Sequence, residues 1–139
     1  MKKAIICLSI STVVFVLFSF SSLQQQQPAK KKWDIPAEYV SMKNPVKKTE
    51  QSLSLGKTSY TRYCAGCHGL TGKGDGDKLK NLMNITPANL SLNDVTKETD
   101  GQHFYKIKIG RDNLHSFKGK VDDEAIWSII LYMKTFAGK

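Results

Sequence analysis

The sequence predicts an all-α fold, and three observations carry that expectation. Ile126, Ile129, Ile130 and Met133 fall at i, i+3, i+4 and i+7, the spacing of one buried helix face. Leu53, Gly56, Tyr60 and Tyr63 recur at helical spacing in a second stretch. No segment alternates convincingly between apolar and polar residues with period two, so nothing reads as a half-buried strand.

The chain has 139 residues, enough for one small domain but not for two. Lys2 and Lys3 precede an apolar run from Ala4 to Phe20 and the small residues of "FSFSS". Residues 1–23 therefore read as a secretory signal, cleaved around Ser19 to Leu23. The alternative is an uncleaved N-terminal anchor, because about seventeen apolar-biased residues just span a bilayer. Either reading exports the remainder. Cys7 lies too early for a lipoprotein site and is a passenger.

Residues 24–48 read as a flexible tether and an irregular arm. "QQQQPAKKK", Gln24 to Lys32, is polar and charged and has no apolar area to bury. "WDIPAEYVSMKNPVKK" is interrupted by Pro36 and Pro45, which argues against continuous helix. Trp33, Ile35, Tyr39 and Met42 would lay this arm across the domain. The globular domain is expected over residues 49–139. Its first helix runs into Cys64, and "GLTGKGDGDK" follows as a glycine-rich loop. That loop lacks the Walker pattern and no strand precedes it, so a phosphate cradle is not indicated. "TPANLSLND" turns around Pro87. Thr99 or Asp100 can cap a short helix carrying Phe104 and Ile107, which Gly110 ends. Asp122 and Ala125 bracket the start of the last helix, with Trp127 and Tyr132 at the edges of its buried face. There are no internal repeats.

The densest chemistry lies in "YCAGCH", Tyr63 to His68. In an oxidising compartment a cysteine pair at this spacing can close a small disulfide loop. A redox-active C-x-x-C belongs with β-α-β alternation, which is absent here. Structural zinc needs four ligands, and the sequence offers no second pair. C-x-x-C-H has its own reading: two thioether bonds to a haem, through Cys64 and Cys67, with His68 on the iron. Two covalent anchors fix the porphyrin edge while the next residue places its ring beneath the metal. One covalently bound haem c per chain is the cofactor expected.

With CAGCH in place, residues 49–139 resemble the class I, single-haem cytochromes c. Gly56, Tyr60 and Cys64 match the family's G-x-x-x-F/Y-x-x-x-C helix, and Ile129 with Tyr132 match the apolar-x-x-Tyr of its last helix. The resemblance implies a small helical domain wrapped around the haem. Its terminal helices would cross closely at the side-chain-free position 56. "TPANL" is similar to the family's Pro-x-Asn-Leu turn, which implies that the Pro87 carbonyl accepts the His68 Nδ1 proton. "WDIPAEYVSMKNPVK" is also similar to cytochromes of Bacteroidetes-type bacteria.

The sequence departs from the family at the second axial ligand. Where a pattern like G-x-x-x-M-P-x-F is expected, Gly110 to Phe117 reads G-R-D-N-L-H-S-F, with Leu114 for methionine and His115 for proline. His115 could ligate the iron and lower its potential relative to a methionine centre. Alternatively Leu114 faces the iron and leaves an open site for a diatomic gas. Otherwise another residue fills the place, with His103, Met83, Met133 and Met42 as candidates better explained by packing. Arg111 could pair with a haem propionate. Trp127 and Tyr105 could shield the ring, although plain packing accounts for both.

The function expected is an exported electron carrier in the bacterial periplasm, with a gas-binding or sensing domain as the rival. A peroxidase-like enzyme would need a distal acid or base, which only His115 or His103 could supply. No serine or cysteine stands beside a base in a recognisable motif, so hydrolase chemistry is not indicated. The expectation is an electron-transfer protein and not an enzyme. The formal charge of +9 falls by two when Lys2 and Lys3 leave with the signal, and stays basic. That balance suits an acidic redox partner or an anionic membrane surface, while an exported chain would not meet nucleic acid. Membrane association would run through the N-terminal segment, and a monomer is expected.

Overall fold

The computed structural model describes residues 33–79, 87–91, 97–111 and 116–137. The readings made for residues 1–32, Met83, Leu114 and His115 lie outside the described residues. The described residues form five helices: α1 (Ala37–Ser41), α2 (Glu50–Tyr63), α3 (Ala65–His68), α4 (Asp100–Ile109) and α5 (Asp123–Met133). Single 3₁₀ turns lie at Asp77–Leu79 and Lys134–Phe136. The described residues contain no strand, so the all-α expectation holds. Among them, no helix is long and apolar enough to cross a membrane.

Two of the three longer helices begin where the sequence supplies partners for the first backbone donors. Thr49 opens α2 in a capping box: its Oγ1 accepts from the Ser52 amide at 3.1 Å and its amide donates to Ser52 Oγ at 2.9 Å. Thr99 opens α4 the same way with Gln102, which settles the choice between Thr99 and Asp100. Gly110, at φ 72°, stops α4. Asp122 precedes α5 without a side-chain cap bond.

Helices α2 and α5 pack face to face across Gly56. A Cβ at that position would lie 2.7 Å from the carbonyl carbon of Ser128 and 3.0 Å from Tyr132 Cβ. Only hydrogen fits there, as the sequence pattern led us to expect. Beside the crossing, Tyr60, Ala65, Ile129 and Phe136 form one core cluster, bordered by Cys64, Leu90, Ile107, Tyr132 and Met133. The rings of Tyr60 and Phe136 meet edge to face at 5.1 Å.

A second cluster, Phe104, Ile126, Trp127 and Ile130, joins α4 to α5. Trp127 lies inside it, 5 % exposed, with its ring stacked on Phe104 at 4.1 Å. Its place is the core and not the helix edge, because its neighbour on α4 is another aromatic.

The arm docks on this second cluster. Tyr39, Met42 and Val46 pack against it, and Tyr39 meets Tyr105 edge to face at 4.9 Å. Part of the arm is helical where the prolines suggested irregular chain. Pro36 stands just ahead of α1 at φ −56°, where a missing N–H removes no helical bond, and Pro45 comes after its end. At Gly101 a Cβ would lie 2.8 Å from Met42 Cβ and would also meet the Tyr39 carbonyl. Thr99 Oγ1 donates to the Val40 carbonyl at 3.0 Å, and Asn44 Nδ2 to the Trp127 carbonyl at 3.1 Å. By contacts, Asp34–Lys139 form one compact unit that includes these arm residues.

Candidate functional site

Helix α2 ends at Cys64, whose amide still bonds to the Tyr60 carbonyl at 2.8 Å. The chain then makes the single turn α3, closed by bonds from the Cys67 and His68 amides to the Cys64 carbonyl at 3.1 and 2.9 Å. Spacing of three and four residues places Cys64, Cys67 and His68 on one side of this turn. The first cysteine therefore hangs from the end of α2, as its position in the sequence suggested.

The glycine-rich loop folds back onto the turn. The Gly74 amide donates to the His68 carbonyl at 2.8 Å and the Gly76 amide to the Cys67 carbonyl at 3.2 Å. A Cβ on Gly76 would sit 2.6 Å from the Cys67 carbonyl carbon, so the loop can lie this flat only without a side chain. Its glycines clasp the cysteine turn.

His68 Nδ1 lies 3.0 Å from the carbonyl oxygen of Ala88. A carbonyl only accepts, so Nδ1 carries the proton and the neutral ring keeps its lone pair on Nε2. The sequence had assigned this role to Pro87, and the structure moves it one residue on. The Pro87 carbonyl oxygen instead lies against Gly74, 2.9 Å from where a Cβ would be.

Cys64 and Cys67 are free thiols, both partly buried. Burial, and secondarily the neighbouring Cys67, pushes the Cys64 thiol up to about 12. At Cys64 this disfavours the thiolate that disulfide exchange uses. Among the described residues, moreover, no three His, Cys, Asp or Glu side chains could hold a metal ion together. Two unpaired thiols and an imidazole with its metal-binding nitrogen selected do fit a haem joined through both sulfurs. An open groove of about 450 Å³ flanks the turn between Thr61, Ala65, Leu70, Asp75 and Lys78, but none of the three motif side chains lines it.

The other candidates disperse. His103 is 7 % exposed and pairs through Nδ1 with Glu98 at 3.4 Å, a packed histidine as expected. Met133 borders the first cluster, and Met42 is committed to Gly101 and the second. Trp127 and Tyr105 spend their faces on Phe104 and Tyr39. Arg111 is partly buried directly after the end of α4. The sequence reading missed the Ala88 carbonyl, the Gly101 contact and the Tyr60 hydroxyl, which donates to the Gly69 carbonyl at 2.8 Å. Backbone acceptors leave no residue-type signal. A glycine in the first turn of α4, with apolar arm residues upstream, was the one available hint.

The family profile described as Cytochrome c matches residues 53–137. No curated protein matches the chain.

Proposed function

The chain belongs to the cytochrome c family, and from that membership we propose that it is an exported, single-haem electron carrier. Cys64 and Cys67 would hold one haem through thioether bonds, and His68 Nε2 would bind its iron. The observation that supports this is the His68 ring, whose Nδ1 proton is held by the Ala88 carbonyl beside two free thiols on the same turn. When bound, the group supplies a one-electron ferrous/ferric couple. The chain's own residues do the rest. Ala88 fixes the histidine's tautomer and orientation, and the Gly74 and Gly76 amides brace the turn. The Tyr60, Ile129 and Phe136 cluster keeps water from its inner side.

In this reading His115 would be the second protein ligand to the iron, and Arg111 would pair with a propionate. Residues 1–23 direct the chain to the periplasm, as a cleaved signal or as an anchor. The basic surface steers an acidic redox partner in brief, salt-sensitive encounters. Electron carriage, and not turnover of a substrate, is the activity.

Acid–acetone extraction of protein matured in a competent host tests the attachment. Colour should remain with the polypeptide, and intact mass should show one covalent haem; complete loss of colour would overturn the reading. Carbon monoxide added to the reduced protein tests His115. No prompt spectral change is expected, whereas His115→Ala should form the adduct at once. Prompt adduct formation by the parent would replace the electron carrier's closed site with the gas-binding one.

A further inference from the structure

Tyr60 does more than fill the core. Its side chain is fully buried, its ring meets Tyr132 and Phe136, and its hydroxyl reaches across to the Gly69 carbonyl at 2.8 Å. Gly69 directly follows His68 and terminates α3 at φ 78°, a left-handed conformation that glycine adopts without strain. The same carbonyl accepts the Gly72 amide at 3.2 Å, and the Gly74 amide returns to the His68 carbonyl at 2.8 Å. Gly72 then accepts the amide of Leu90, two residues beyond Ala88. A continuous set of bonds thus runs from the Tyr60 hydroxyl through the reversal after His68 to the segment that holds the histidine ring.

We infer that the Tyr60 hydroxyl is a positioning group for His68, locking the backbone reversal behind the axial histidine and so setting how firmly Ala88 holds its Nδ1 proton. The assignment rests on His68 being the iron ligand, as proposed above. Packing alone does not explain the hydroxyl, because a phenylalanine ring would fill the same core volume. Burial foremost, then the nearby Cys64, Tyr132 and Asp75, raises the tyrosine's pKa above its usual value, so the group stays a donor at every working pH. Gly69 keeps its Gly72 bond when the hydroxyl is removed, so Tyr60→Phe deletes one contact without orphaning a buried acceptor.

The test compares the matured full-length protein with its Tyr60→Phe and Tyr132→Phe variants. Tyr132→Phe alters the same aromatic cluster but not the Gly69 bond. In Tyr60→Phe, amide exchange at Gly69, Gly72 and Gly74 should quicken about tenfold, the size of one modest hydrogen bond, while Ile129 and Ile130 stay within about twofold. The reduction midpoint should rise, because a less firmly held Nδ1 proton makes the imidazole a weaker donor to ferric iron. Tyr132→Phe should leave both readouts at parental values. Equal acceleration at Ile129 and Ile130 would reduce Tyr60 to a structural residue and overturn the inference, as would an unchanged or lowered midpoint. A parent carrying no covalent haem would instead overturn the proposed function, and the exchange comparison would still decide the role of Tyr60 in the reversal.

Discussion

The contacts at Gly56 and at Gly101 both depend on a glycine, and they differ in what lies opposite. At Gly56 the neighbour is the backbone of Ser128, deep in α5, with buried side chains on every side. At Gly101 the neighbours are the Tyr39 carbonyl and Met42, at the end of the five-residue α1, which has no buried residue. The first contact joins two elements that cannot retreat without opening the core. The second joins a core helix to an arm whose short helix has no buried residue of its own. A close approach constrains a fold only as strongly as the softer of the two elements that make it.

Breaking each contact with one methyl group should expose that difference. Gly56→Ala should have the largest effect, a loss of about 3 kcal/mol or more, because neither backbone can move aside. Denaturant unfolding measures the loss, and the yield of colour-bearing protein should drop with it. Gly101→Ala should cost only about 1 kcal/mol net, since the gain in helix propensity offsets part of the clash and the arm can shift. Its signature is local: limited proteolysis should cut within residues 34–48 faster than in the parent, while the colour yield is retained. Equal effects of the two substitutions would show that the arm is as rigid as α5.

The two capping boxes sharpen the same comparison at smaller scale. Thr49→Ala and Thr99→Ala should each cost about 1 kcal/mol. Only Thr99→Ala should also speed cleavage of the arm, because Thr99 alone donates to the Val40 carbonyl. Lys134→Ala should matter least. Its ion pair with Asp100, at the start of α4, involves a lysine side chain that is 49 % exposed. The loss should stay below about 1 kcal/mol and fade in high salt.

What could be read from the sequence follows the same division. Gly56, Tyr60, Cys64 and the isoleucine stripe of α5 lie within single helices, where a fixed period of 3.6 converts spacing into a shared face. They were readable for that reason, and so was the grouping of Cys64, Cys67 and His68. Docking of the arm through Tyr39 and Met42 was readable from their apolar side chains. Its close approach to Gly101 was not, because Tyr39 and Gly101 meet across a long stretch of chain with no period linking them. The histidine's partner was readable only to within one residue. A carbonyl is common to all residues, and its direction depends on how Gly74 packs against Pro87. Trp127 was misplaced to a helix edge for a related reason: its burial is decided by Phe104, on another element.

The contact between α2 and α5 has a consequence for the order in which the molecule can come apart. Cys64, Cys67, His68 and Ala88 all lie in the span between Tyr63 and Asp123, like a parcel inside a belt whose buckle is the meeting of the two helices. Undoing the buckle frees the entire belt at once, whereas lifting the arm leaves it fastened. The lifetime of that fastening therefore sets how often the parcel is laid open to the surroundings, whatever the strength of the bonds inside it.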